Sequence, residues 1–161
     1  MCLYDVVGTY ADNEENIKII QNIANSLKSG GIALISVMNY HLTLDQAKYK
    51  FDLSKAPNKL LSLKPSRIME TTGNVFNPDF YLVDTESGIV YRREQFIQGR
   101  ALPVELIVRD KRFFKEEIEN MCRNAGLKVE FSRFVNARDW ETGFNSTHKS
   151  AKEILLKCRK I

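Results

Sequence analysis

The sequence predicts an α/β fold in which a strand-rich antiparallel segment interrupts a core of alternating helices and strands. Three observations predict it. Apolar residues recur at three- and four-residue spacing over 14–28 and again over 115–124, the period of a helix with one buried face. Each of these stretches runs through glycine into an expected strand, the apolar run Ile32–Met38 and the stretch Leu127–Val135. Between them, residues 67–109 change to short extended runs separated by turn residues.

The first element is short. Cys2-Leu3-Tyr4-Asp5-Val6-Val7-Gly8 reads as the end of a buried strand passing into a loop. Asp12 or Asn13 can cap the helix that follows, with Glu15 placed to reach back in a capping box. Ile17, Ile20, Ile23, Ala24 and Leu27 are expected on one face of that helix, and Gly30 is expected to end it in the left-handed conformation. The continuous apolar run Ile32–Met38 suits a strand covered on both faces. Strand, helix and strand then make a right-handed βαβ unit.

Residues 42–65 are mixed, with a helix expected near 44–52. Extended runs follow at 67–71, 80–84, 89–97 and 104–109, and Thr85-Glu86-Ser87-Gly88 is hairpin-turn chemistry between two of them. Arg92, Arg93 and Glu94 read as a solvated face rather than a binding site. The core pattern returns at Lys115–Asn124, where Ile118, Met121 and Cys122 share a face and Ala125-Gly126 ends the helix. Leu127–Val135 and Glu153–Cys158 are expected as two strands closing the sheet as a long edge hairpin, joined by a loop holding Trp140, Gly143, Phe144 and His148.

Composition narrows the classes of function. The 161 residues are enough for one domain with a core, and 43% hydrophobic with 27% charged residues is ordinary globular composition. The longest apolar run, Ile32–Met38, is too short to span a bilayer, and the first residues do not read as a signal peptide. Cys2, Cys122 and Cys158 lack metal-ligand spacing and fit reduced thiols in a cytoplasmic protein. The net charge of +4 is spread along the chain apart from a modest cluster at Arg109, Lys111 and Arg112, which does not indicate nucleic-acid binding.

Three stretches, taken in order, resemble the C-terminal part of a class I S-adenosylmethionine-dependent methyltransferase. Cys2 to Gly8 resembles the end of that family's fourth strand. Leu27-Lys28-Ser29-Gly30-Gly31 resembles the LKPGG ahead of its fifth strand, with Ser29 in place of the common proline. Phe113 to Arg133 resembles the helix leading to the sixth strand, and 153–159 would be the antiparallel seventh. The resemblance implies a Rossmann-like methyltransferase sheet, incomplete, with an antiparallel β insert after the fifth strand. It treats 1–161 as a single partial domain, with 1–41 and 110–161 as the α/β core and 42–109 as a roof over the substrate. The family's glycine-rich cofactor loop and the acidic residue ending its second strand have no counterpart here, so the chain reads as entered at strand four.

In such sheets ligands sit beyond the carboxyl ends of the strands. The resemblance therefore implies S-adenosylmethionine as cofactor, contacted by Cys2, Leu3 and Tyr4, with plain core packing as the competing reading. Asp5 either orients or deprotonates an acceptor, as a catalytic residue, or caps a loop N–H. Asn39 and Tyr40 resemble a substrate-facing pair in some glycine- and sarcosine-type N-methyltransferases, against a turn Asn beside a packed Tyr. His41 is either a base beside Tyr40 or, the better-supported reading, a lone surface residue; His148 also reads as a surface residue, and two distant histidines make no metal site. The expected activity is methyl transfer to a small molecule, dependent on an N-terminal part supplying the cofactor loop. The alternative is a non-catalytic remnant whose open sheet edge pairs with a partner chain or a second copy.

Overall fold

The computed structural model describes residues 1–3, 6–67, 74–96, 104–137 and 139–161. The chain divides into two compact units, Met1–Asp45 with Lys111–Ile161, and Gln46–Asp110.

The first unit opens with Cys2, which pairs in parallel with the middle of strand β1 (Ile32–Met38): Cys2 N–H donates to the Leu34 carbonyl at 2.9 Å and the Cys2 carbonyl accepts from Ser36 N–H at 3.0 Å. Helix α1 (Asn13–Ser26) starts at Asp12, whose carboxylate accepts from Glu14 N–H at 2.8 Å. That is an N-cap contributing about 1 kcal/mol. The capping box does not form, because Glu15 instead pairs with Lys18 at 2.6 Å. The buried stripe of α1 is Asn16, Ile20 and Ala24, while Ile17 is 37% exposed. Asn16 displaces it because its side chain closes the preceding loop, accepting from Gly8 N–H and donating to the Tyr10 carbonyl, each at 2.8 Å.

Gly30 does have positive φ, +79°, yet it does not cap the helix. The helix stops at Ser26 with Leu27 extended, and Gly30 occupies the third position of a turn closed by Gly31 N–H onto the Lys28 carbonyl.

Helix α2 (Tyr40–Gln46) begins two residues after β1 and lies ahead of the helix expected near 44–52. Helix α3 (Lys115–Asn124) buries Ile118, Met121 and Cys122, and Ala125 with Gly126 (φ +80°) ends it. Strands β6 (Leu127–Asn136), β7 (Asp139–Phe144) and β8 (Glu153–Lys160) complete the sheet, in the order β1-β8-β6-β7. β8 is antiparallel to both β1 and β6, so those two strands run parallel on either side of it. Strand β7 lies where the sequence suggested only a loop, and it pairs antiparallel with β6. Its low alternation in apolar character hides it, since most of its side chains are exposed.

One face of the sheet carries Ala33, Ile35 and Val37 of β1 against Cys158, Leu156 and Ile154 of β8. These residues join Ile20 and Ala24 of α1 and Ile118, Met121 and Cys122 of α3 in one core. Each fully buried large aliphatic side chain there contributes about 1.5–3 kcal/mol. Among the described residues no helix is long and apolar enough to cross a membrane.

The second unit holds strands β2 (Lys50–Phe51), β3 (Tyr81–Asp84), β4 (Ile89–Phe96) and β5 (Val104–Lys111), in that order across its sheet. Its β2–β3 pair is parallel, where the sequence suggested an antiparallel arrangement throughout. β3 and β4 form the expected hairpin: Gly88 (φ +69°) donates to the Asp84 carbonyl at 2.8 Å. The run expected at 67–71 lies, beyond Arg67, outside the described residues.

β4 alternates strictly, but its buried face is charged. Arg92 and Glu94 are each 5% exposed and lie 2.8 Å apart, and Arg92 Nε donates to Asp110 at 3.0 Å. Only Arg93, on the other face, keeps a partly exposed ion pair, 2.7 Å from Glu105. The expected solvated face is therefore a buried ion-paired one, tolerated because charges of both signs meet there.

Candidate functional site

The carboxyl end of β1 is where the sequence placed a site, and one residue organises it. Asn39 is fully buried between β1 and α2. Its side-chain oxygen accepts from His41 N–H at 3.0 Å, capping α2. Its amide donates to the Ser146 carbonyl at 2.7 Å and the Ala151 carbonyl at 2.6 Å. Its backbone N–H donates to Lys152, and its carbonyl accepts from Thr43 Oγ1 at 2.9 Å. Asn39 thus clamps the segment leading into β8 onto the end of β1. All of its polar atoms are used in that clamp.

Tyr40 is 6% exposed, and its N–H donates to the Phe113 carbonyl at 2.9 Å. Phe113 in turn donates to Met38, so it extends the same edge of β1 that Cys2 occupies. The Tyr40 ring meets Phe114 edge-on at 4.9 Å. His41 meets Phe114 at 4.7 Å and Phe134 at 5.8 Å, also edge-on, and its Nε2 lies 4.0 Å from Glu116. Phe134 is the cross-strand partner of Phe144, whose ring stacks on His148 at 4.8 Å. The two histidines that read as separate surface residues therefore belong to one aromatic row along the rim. The imidazole of His41 is about a third exposed beside these rings. The aromatic edges beside it favour a flat or partly apolar molecule.

The remaining sequence candidates fall differently. Cys2 is partly buried against the core and burial pushes its thiol up, away from the reactive thiolate. Leu3 is half-buried. Tyr4 and Asp5 lie outside the described residues. No group of three or more metal-ligating side chains is present among the described residues.

One residue at this rim was not recognised from sequence. Arg112 is fully buried, and its Nη1 donates to Thr43 Oγ1 at 2.9 Å; Thr43 then donates to the Asn39 carbonyl. The basic cluster is dispersed by this: Arg109 is exposed, Lys111 pairs with Glu117 at 3.2 Å, and Arg112 supports the Asn39 clamp. Its only sequence signal was a cation next to the apolar Phe113-Phe114.

The described glycine turns do not form a nucleotide cradle. Gly8 has φ +113°, but a Cβ there would lie 2.4 Å from the Lys111 carbonyl oxygen, so the chain's own backbone fills the space. A Cβ on Gly31 would lie 2.8 Å from the Lys28 carbonyl oxygen. Neither glycine presents a helix N-terminus to a ligand.

No known protein-family profile matches the sequence, and no curated protein matches it in sequence. Solved structures do match the fold. The methyltransferase CcbJ from Streptomyces caelestis superposes with a TM-score of 0.56 at 14% identity, covering 97% of this chain and 56% of that one. An S-adenosylmethionine-dependent methyltransferase from Clostridium acetobutylicum ATCC 824 superposes with a TM-score of 0.52 at 14% identity, covering 99% of this chain and 56% of that one. The chain spans about half the length of these structural neighbours. The likeness establishes the fold: a mixed α/β sheet of the Rossmann-like methyltransferase kind.

Proposed function

We propose that this chain belongs to a methyltransferase that moves a methyl group from S-adenosylmethionine to a small-molecule acceptor. The observation that carries the reading is the likeness of nearly the whole chain to two methyltransferases, one of them S-adenosylmethionine-dependent, despite 14% identity. The Cys2 strand, β1, β8 and β6 supply the sheet, and residues 42–109 are proposed as the substrate roof.

In this reading the cofactor brings the activated methyl group, and the protein aligns the acceptor and excludes water. The rim at Tyr40, His41 and Phe114 receives the acceptor. Asn39 acts as a positioning residue that holds this rim together. Asp5 is proposed to orient or deprotonate the acceptor. Cys2, Leu3 and Tyr4 are proposed beside the cofactor.

The test is calorimetric titration of S-adenosylmethionine into the chain extended by the coding sequence in frame upstream. Binding at about micromolar Kd, roughly −8 kcal/mol, is expected. Absence of binding by the extended chain would sink the reading. With binding established, Asp5→Ala should lower turnover more than cofactor affinity; equal losses would assign Asp5 to the cofactor instead.

A second reading, a non-catalytic chain that pairs with a partner, is favoured by the filled glycine turns at Gly8 and Gly31. A folded extended chain that neither binds the cofactor nor transfers methyl groups would support it.

A further inference from the structure

We propose that the outer edge of β5 is the surface through which two copies of this chain associate, β5 pairing antiparallel with β5 of a second copy. β5 is the last strand in the sheet of the second unit. Among the described residues no strand pairs with its other edge, and Lys111 N–H at its end donates to the Gly8 carbonyl at 2.9 Å, so the outward backbone groups short of Lys111 form a template for another strand. Edge strands are ordinarily protected by charge, proline or a covering element. This one carries the exposed charges Glu105 and Arg109 but also exposes Val104, Leu106 and Ile107 at 46%, 47% and 43%. Because neighbours alternate across a strand, Leu106 and Ile107 lie on opposite faces, so β5 exposes apolar side chains on both of its faces.

Charge selects the occupant and the register. A second copy meets β5 about a two-fold axis, so every contact occurs twice. With Ile107 on the axis, Ile107 faces its own counterpart, Leu106 faces the copy's Val108, and Glu105 faces the copy's Arg109. The apolar residues are then central and an opposite-charge pair flanks them on each side. The neighbouring registers that preserve the faces put Leu106 or Val108 on the axis. The first sets Glu105 against Ile107 and loses the pair; the second sets Arg109 against Ile107 and Glu105 against the copy's Lys111, whose ammonium already pairs with Glu117 at 3.2 Å in its own chain, so neither keeps the exposed Arg109 opposite Glu105. Arg109 is exposed in the single chain, and Arg93 bonds to Glu105 only through Oε1, at 2.9 and 2.7 Å. Glu105 Oε2 can therefore accept from the copy's Arg109 without losing Arg93.

Sedimentation equilibrium of the 161-residue chain tests this without any cofactor, so its outcome is independent of the methyl-transfer reading. A monomer–dimer equilibrium is expected. Glu105→Arg and Arg109→Glu should each weaken the dimer about tenfold or more, since each converts two attractive cross-strand pairs to repulsive ones. The double reversal should restore dimerisation to near the parent level. Ile107→Cys should cross-link to a covalent dimer under oxygen with a copper catalyst, because residues facing each other across an antiparallel pair lie within disulfide reach. Arg109→Cys alone should not, but mixed with Glu105→Cys it should. A chain that stays monomeric, or a dimer indifferent to both reversals and uncross-linked at Ile107, overturns the proposal.

Discussion

Removing the Asn39 side chain should loosen the end of the sheet by a large and chemically specific amount. In Asn39→Ala, the Ser146 and Ala151 carbonyls lose donors at 2.7 and 2.6 Å, and His41 N–H loses its acceptor at 3.0 Å. Leaving one buried polar group unsatisfied costs about 1–3 kcal/mol. Water can reach the vacated space and offset part of this, so about 3 kcal/mol in total is expected. Asn39→Asp is the sharper probe. It keeps the acceptor for His41 but aims a carboxylate at two carbonyl oxygens that now receive no proton. Its folded-state pKa must therefore rise above the unfolded value of about 3.9. A group with a raised folded pKa is tolerated below the unfolded value and becomes destabilising as pH climbs through the folded one. The stability deficit of Asn39→Asp against the parent should thus be largest at neutral pH and shrink toward pH 4. Urea unfolding at several pH values measures this, followed by the fluorescence of Trp140, the single tryptophan, which lies in β7. Hydrogen exchange over 145–152 should rise in the same variants. A change of less than about 0.5 kcal/mol for Asn39→Ala, together with a pH-independent deficit for Asn39→Asp, would refute the clamp.

Ile20→Ala should cost about 2–5 kcal/mol, while Ile17→Ala, 37% exposed on the same helix, should cost well under half as much; equal losses in urea unfolding would contradict the assigned helix face. Gly8→Ala should destabilise by more than about 2 kcal/mol, because φ is +113° and the new Cβ meets the Lys111 carbonyl oxygen at 2.4 Å. Gly30→Ala, at φ +79° but opening on free space, should cost only about 1–2 kcal/mol, and the two midpoints compared side by side check the difference. Burial pushes the Glu119 carboxyl up, but bonds from Ser132, Arg123 and Lys115 outweigh it and hold the pKa below its ordinary value. The parent's stability should therefore fall as pH drops below about 4.5 and through the lower folded-state pKa. Glu119→Gln should show a flatter acid limb in pH-resolved thermal unfolding, and an unchanged limb would rule this linkage out.

Much of the first unit was legible along the chain. The stripe Ile118, Met121 and Cys122, the run Ile32–Met38 and the stop at Ala125-Gly126 each appear where periodicity and glycine put them. So does the turn at Thr85–Gly88. The site was only partly legible. Asn39 and Tyr40 were singled out as lying at the end of β1, but the two carbonyls that hold Asn39 come from residues 107 and 112 positions away. Strand β7 was missed because an exposed edge strand has no buried face to impose alternation.

What the sequence by itself determined, then, was the set of elements whose apolar pattern repeats within a few residues: α1, β1, α3, β6 and the β3–β4 hairpin. A local pattern is enough to place these elements, though not every residue on them: on α1 the loop contacts of Asn16 bury it and leave Ile17 exposed. What only the tertiary structure decided was the fate of the polar residues. Arg92 and Glu94 look like surface charges until Asp110, 18 positions on, is brought beside them. Arg112 looks like part of a basic cluster until Thr43, 69 positions earlier, is found against it. Burying a charge is costly alone and tolerable when paired. Whether a charged residue is buried therefore depends on a partner distant in sequence, which chain folding alone brings into contact.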